Sequence, residues 1–133
     1  MLFCDGKQKE DVMPKDLTIT GFEDEPGINA SIGAALGGAG VNIDGTFGSG
    51  KLREIHVLVE DVAAARRAVE DAGFQVSDER DVLLLEVENR PGAWGDAARK
   101  LADAGVNIEF NYVDMSGRQV VAVDDLKKAR GVV

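Results

Sequence analysis

A single cysteine, Cys4, occurs in 133 residues. That excludes an internal disulfide and leaves no thiol cluster for a metal. Histidine is equally scarce: His56 is the only one. It lies between Ile55 and Val57 with no second ligand or base placed beside it, so neither catalysis nor metal ligation is expected of it. No apolar run approaches the roughly 20 residues that cross a bilayer. The stretch from Met1 to Lys7 has no long apolar core and no small-residue cleavage pattern, so a signal peptide is not expected and a cytoplasmic location is. Lysine and arginine number 15 against 24 aspartates and glutamates, a net charge of −9. Such a chain has no basic surface to exchange for the counterions of a polyanion, so neither nucleic acid nor membrane is the expected partner. Arg66-Arg67 reads as a solvated helix face. No Ser/His/Asp set, Cys/His pair, phosphate-binding glycine loop or metal cluster is recognisable. No catalytic residue, metal site or cofactor is therefore expected.

What the chain does contain is itself, twice. Asp24-Glu25-Pro26-Gly27 through Gly40-Val41-Asn42-Ile43 recurs 65 positions later as Asn89-Arg90-Pro91-Gly92 through Gly105-Val106-Asn107-Ile108. Self-similarity at a fixed period marks a tandem repeat of one folding unit. A unit of this size buries only about 60% of its unfolded surface and is marginal alone, so pairing is expected.

The first copy reads as strand, helix, strand, strand, helix, strand. Leu17 to Phe22 alternates as a strand. Pro26 suits the first turn of a helix, with Asp24 or Glu25 before it as a cap. Ile28, Ile32, Leu36 and Ala39 recur at helical spacing and Gly40 closes the helix. Gly33, Gly37 and Gly38 weaken it, each by up to about 1 kcal/mol relative to alanine. They imply either close approach by another helix or a poorly packed surface. A second strand opens at Val41 and ends by Phe47, and Gly48-Ser49-Gly50 forms a hairpin turn. Ile55, Val57 and Val59 alternate on a third strand. Asp61 caps a second helix that Gly73 closes, and residues 74–77 form the fourth strand.

The second copy follows the same order, with strands at residues 82–87, from Val106 to Tyr112 and at 120–123. Its first helix is lined by Ala93, Ala97, Leu101 and Ala104, and its second opens at Asp125. Val133 corresponds to Val69 of the first copy, so the expected second unit stops before its last strand. The expected fold is α+β: two ferredoxin-like βαββαβ units in tandem, a leader over 1–15, unit 1 over 16–80 and unit 2 over 81–133. Both faces of the strands around Val82 to Leu85 and Val120 to Val123 are apolar, and Phe22 and Leu58 add to the second face in unit 1. That face is expected to be covered, most simply by sheet-to-sheet dimerisation.

The element order, the Asn-Arg-Pro-Gly at a strand–helix junction and the Gly-Val-Asn-Ile at a helix–strand junction resemble the ACT domain. This is a small regulatory module of enzymes of amino-acid metabolism, and the likeness covers residues 16–133. The second copy is most similar to the serine-sensing ACT domain of phosphoglycerate dehydrogenase. The resemblance implies a non-catalytic module that binds a small amino acid between paired units, with Asn89 and Asn107 as ligand residues. Val87 stands where that pattern has histidine. The first copy has Asp24 in place of Asn89 and keeps Asn42.

Elementary chemistry points to the same loops. Backbone N–H groups at a helix start attract a carboxylate. Here those are the amides of Gly92, Ala93 and Trp94, or of Gly27 and Ile28. Asparagine offers donors and acceptors, and Asp24 could hold an ammonium. Against this stands the capping role that Asn and Asp commonly fill beside Pro-Gly. The working combinations are Asn89 with Asn42, or Asp24 with Asn107. The partners expected are an amino acid, a second copy of the chain and a separate target enzyme. The alternative is a ligand-free oligomerisation or interaction module.

Overall fold

The computed structural model describes residues 13–133. Cys4 and the first twelve residues of the expected leader lie outside the described residues. The chain divides into two compact units, the first ending at Glu79 and the second running Arg80–Val133.

In unit 1, β1 (Lys15–Thr20) leads through a loop to α1 (Ile28–Gly38), and β2 (Gly45–Ser49) and β3 (Glu54–Val59) form a hairpin. Helix α2 (Val62–Asp71) and β4 (Gln75–Arg80) complete it. The sheet order is β2-β3-β1-β4, so the last strand lies beside the first, as right-handed crossovers require. β1 and β2 both run antiparallel to β3. One sheet face and two helices enclose Leu17, Ile19, Ile32, Leu36, Val57 and Val69. Among these, Leu17, Ile19, Leu36 and Val69 have no exposed surface at all.

Unit 2 repeats the plan with β5 (Leu83–Leu85), α3 (Ala93–Asp103), β6 (Ile108–Val113), β7 (Gln119–Val123) and the single turn of α4 (Leu126–Arg130). Its sheet has three strands in the order β5-β7-β6. Leu83, Leu101, Val106, Val121, Val123 and Ala129 form its core, with Trp94 packed at the edge.

Several expected boundaries move, each for a local reason. The helices begin two residues after the prolines of the Pro-Gly pairs, not at them: Gly27 (φ 98°) and Gly92 (φ 86°) are the N-caps, both in the left-handed region. Proline cannot adopt a positive φ, so Pro26 and Pro91 remain in the loops. Neither Asp24 nor Glu25 caps α1, since no side chain bonds to its first-turn amides. β1 begins at Lys15, inside the expected leader. β2 starts at Gly45, not Val41, because the Gly40 turn is still being completed by the bond from the Val41 amide to Leu36 O at 2.9 Å. The hairpin turn lies over Gly50 to Arg53, not Gly48 to Gly50; the Arg53 amide bonds Gly50 O at 3.1 Å and Arg53 takes φ 55°. β4 is longer than expected and β5 shorter.

The second face of the unit 1 sheet also differs from expectation. It is buried, but it is not simply apolar: Asp16, Thr18 and His56 lie on it with Leu58, and none is more than 6% exposed. Among the described residues, no helix is long and apolar enough to cross a membrane.

Candidate functional site

Two loops carry the repeated Pro-Gly motif, and they are built differently. After β1, Gly21 takes φ +81°. Glu23 then pairs with Arg53 of the hairpin at 3.3 Å, with both side chains largely exposed. Asp24 follows, its carboxylate lying against the hairpin at Gly50: a Cβ on Gly50 would collide with Asp24 Oδ1 and fall 2.8 Å from Asp24 Cγ. In the first turn of α1, Asn29 Oδ1 lies 3.6 Å from where a Cβ of Gly48 would be. The missing side chain at Gly50 therefore lets the Asp24 loop settle onto the hairpin, whereas Gly48 has room for one. Gly27 turns the chain into α1, and the amide of Ser31 makes a 2.9 Å bond to Gly27 O.

The helix starts fall into two classes. At α2 and α4, the carboxylates of Asp61 and Asp125 accept from the amides of Ala64 and Lys128 at 3.1 and 3.0 Å. At α1 and α3 no side chain accepts from the first turn. The Ala93 amide at the start of α3 is taken up by Arg90 O at 3.2 Å, and the positive end of each helix dipole faces its Pro-Gly loop.

At α3 the surroundings are charged. Arg90 Nε donates to Glu88 Oε1 at 2.8 Å, its guanidinium lies 3.9 Å from Asp96 Oδ2, and Asp96 stands in the first helical turn. A recess of about 280 Å³ opens beside this loop, its lining mixing Leu85, Val87 and Ala97 with the charged Arg90, Asp96 and Lys100. Asn89 is exposed. Trp94 is half-buried and packs against the core of unit 2, so its contribution to this loop is its backbone amide.

The asparagines of the two Val-Asn-Ile motifs lie elsewhere. Asn42 follows the far end of α1, and its Nδ2 donates to Asp44 Oδ1 at 2.9 Å beside a recess of about 300 Å³ bordered by Glu60 and Asp61. Asn107 follows the far end of α3; its amide donates to Asp124 Oδ1 at 3.0 Å. Each helix has 11 residues and so is about 16 Å long. The structure therefore groups Asp24, Gly27 and Ile28 at one end of unit 1 and leaves Asn42 at the other. It likewise groups Asn89, Gly92, Ala93 and Trp94 at one end of α3 and leaves Asn107 at the other.

Two polar clusters escaped the reading of the sequence. His56 does have partners: Nδ1 lies 3.0 Å from Asp16 Oδ1 and 3.3 Å from Thr18 Oγ1, and Nε2 lies 3.3 Å from Glu54 Oε1. Burial lowers the affinity of the imidazole for a proton, but the hydrogen bonds and charges of Asp16 and then Glu54 outweigh it and raise the pKa. The signal was the strand pairing, which sets Thr18 opposite His56. In unit 2, Asp114 organises the β6–β7 turn. Its carboxylate accepts from the Ser116 amide, Ser116 Oγ, the Arg118 amide and Arg118 Nε, all within 3.0 Å. Burial raises its pKa, and the bonds from Arg118 and Ser116 more than reverse that, leaving it lowered. An Asp followed by Ser and Arg around a glycine was the sequence signal for such a turn. Among the described residues, no group of three or more metal-ligating side chains could hold an ion.

No protein-family model matches the chain, and no curated protein does. Solved structures do. Protein BT0572 from Bacteroides thetaiotaomicron superposes with a TM-score of 0.73 at 24% identity, covering 92% of this chain and 88% of that one. The ligand-free regulatory subunit of aspartate kinase from Thermus thermophilus gives 0.69 at 19% identity, over 91% and 87%. The corresponding subunit from Thermus flavus gives 0.68 at 21%, over 91% and 88%. The α+β arrangement of two antiparallel sheets with βαββαβ-like units is thus a fold this chain shares, over nearly its whole length, with the regulatory subunits of aspartate kinase.

Proposed function

We propose that the protein is a non-catalytic regulatory module that binds a small amino acid at its strand–helix Pro-Gly loops, between paired units. The observation that carries this reading is the contrast among helix starts. α2 and α4 are closed by their own aspartates, whereas α1 and α3, which follow the Pro-Gly loops, are left without a side-chain cap. An amino acid supplies what those starts lack, a carboxylate, and brings an ammonium for which Asp24 is the natural partner in unit 1. In unit 2 the corresponding groups are Asn89 and the amides of Gly92 and Trp94, with that of Ala93 already bonded to Arg90 O at 3.2 Å and available only if that bond opens.

Asn42 and Asn107 each lie a helix length away from the Pro-Gly loop of their own unit, so either would join a ligand at such a loop only from a second unit. The similarity to aspartate kinase regulatory subunits supports the regulatory part of the reading, with a separate enzyme as target. Val87, in place of the histidine of the serine-sensing pattern, removes one polar contact and speaks for an amino acid other than serine.

A thermal-shift panel of the twenty amino acids tests this. A ligand at a hundredfold excess over Kd adds about 2.7 kcal/mol of stability, so a true ligand raises Tm and Asp24→Ala or Asn89→Ala diminishes the rise. A panel flat for the wild type sinks the sensor and leaves the ligand-free interaction module.

A further inference from the structure

Unit 1 fills a place beside its first strand that unit 2 leaves open. In unit 1, β4 lies on the far side of β1 from β3. Phe74, just before β4, packs edge-on against Phe22 with ring centroids 6.3 Å apart. Gln75 sits so close over Gly21 that a Cβ there would fall 2.9 Å from Gln75 Cγ. Near the end of the strand, Glu79 meets Arg66 of α2 at 3.3 Å. An aromatic residue and, five positions on, a carboxylate thus hold β4 in its seat.

In unit 2 the strand order β5-β7-β6 ends at β5. Among the described residues no strand pairs with its outer side, whose N–H and C=O groups form an edge. Val87 stands 65 positions after Phe22, and Ala97 the same distance after Ile32. Both are smaller than their counterparts, and both line the recess of about 280 Å³. In unit 1 the equivalent place holds the ring of Phe74. The cation is present in both units. Arg66 is the fifth residue after the cap Asp61, and Arg130 the fifth after the cap Asp125. Arg130 is exposed, as are Lys127, Lys128 and, lining the recess, Lys100. Their side chains make no ion pair among the described residues. Helix α4 packs against β5 and β7, so its cations flank the open edge.

We propose that the open side of β5 is a docking site for an extended segment of a partner protein, one that carries an aromatic residue and, five positions on, a carboxylate. The ring enters the recess beside Val87 and Ala97, the backbone pairs with β5, and the carboxylate meets Arg130. Such strand addition takes its affinity from the backbone and its specificity from the pocket. Charge selects the occupant. At a net charge of −9 the chain repels acidic segments over most of its surface, whereas four unpaired cations gather here. The carboxylates of Glu88 and Asp96 at the recess are already met by Arg90. Glu86, at the place of Gly21, favours a donor such as glutamine in the residue after the aromatic. A second copy offers no such strand, because its own β4 is held beside β1. The site makes no use of the helix-start amides, so it stands apart from the amino-acid reading.

The test uses the full chain and a fluorescein-labelled peptide copying residues 73–79, Gly-Phe-Gln-Val-Ser-Asp-Glu, followed by fluorescence anisotropy. The wild type is expected to bind it, and Phe74→Ala in the peptide to weaken binding by about tenfold. Arg130→Glu in the protein is expected to weaken it by about fivefold. A peptide with Glu79→Lys should then bind Arg130→Glu better than the original peptide does. Arg66→Glu, at the filled seat of unit 1, should bind like the wild type. No binding at millimolar protein, or an affinity indifferent to Arg130→Glu, overturns the proposal. So does a change confined to Arg66→Glu, which would mean exchange with the strand of unit 1. A dimer in light scattering that the peptide splits also overturns it and assigns the edge to a second copy.

Discussion

His56 Nδ1 lies 3.0 Å from Asp16 Oδ1, with the two side chains 5% and 0% exposed. The pair joins β1 to β3 across 40 residues of sequence. It is a buried contact that favours the protonated imidazole, and it makes stability depend on pH. The folded-state pKa of His56 is raised from 6.5. A raised pKa means the folded protein holds the proton more tightly than the unfolded chain, so the contribution is fully present below pH 6.5 and is lost as pH rises through the folded value. The urea midpoint is expected to fall across that window. In His56→Gln this component of the slope disappears; a slope identical to that of the wild type would show that the stability change comes from other groups.

Asp114 acts in the opposite direction. Its pKa is lowered from 3.8, so its contribution is present above that value and fades as pH falls through the folded one. With four donors converging on it, Asp114→Ala takes away the shared acceptor of the part-buried Ser116 and Arg118 groups, whose donors must then turn to water. It is expected to cost about 1 kcal/mol at neutral pH. Denaturant unfolding of the variant at about pH 7, compared with about pH 3, checks both statements: the difference from wild type should shrink at the lower pH.

Gly48 and Gly50 differ in a way that tests the candidate site. An alanine at Gly48 meets only ordinary contacts, whereas one at Gly50 collides with the Asp24 carboxylate. Gly50→Ala must displace Asp24, and Gly48→Ala need not. The Tm gain produced by whichever amino acid registers in the panel should drop in Gly50→Ala and persist in Gly48→Ala. Equal gains in both would mean that Asp24 does not hold the ligand.

Gly33 tests the stability of α1 itself. It lies inside the helix with nothing within 4 Å of an added carbon. Gly33→Ala is therefore expected to stabilise unit 1 by up to about 1 kcal/mol, through the lower conformational freedom of the unfolded chain. Chemical denaturation detects this directly, and a loss of stability would reveal a close neighbour at that position.

Much of the fold was legible in local chemistry. The 65-residue recurrence, the helical spacing of Ile28, Ile32 and Leu36, the carboxylate caps Asp61 and Asp125, and the closing glycines Gly40, Gly73 and Gly105 each depend on the local order of residues. Periodicity and turn chemistry read such features directly. The positive φ of Gly27 and Gly92 was less legible, because the neighbouring prolines suggested an earlier helix start and masked it.

The sequence by itself determined the repeat, the order of strands and helices, and which loops carry Pro-Gly. Those follow from the covalent order of side chains and their backbone preferences. Only the tertiary structure decided that His56 is partnered by Asp16 and Glu54, that Asp24 rests against Gly50, and that Asn42 stands a helix length from Asp24. These are consequences of strand register and of the rigid length of α1. Register brings together residues tens of positions apart, and the helix separates residues whose motifs read as one cluster along the chain.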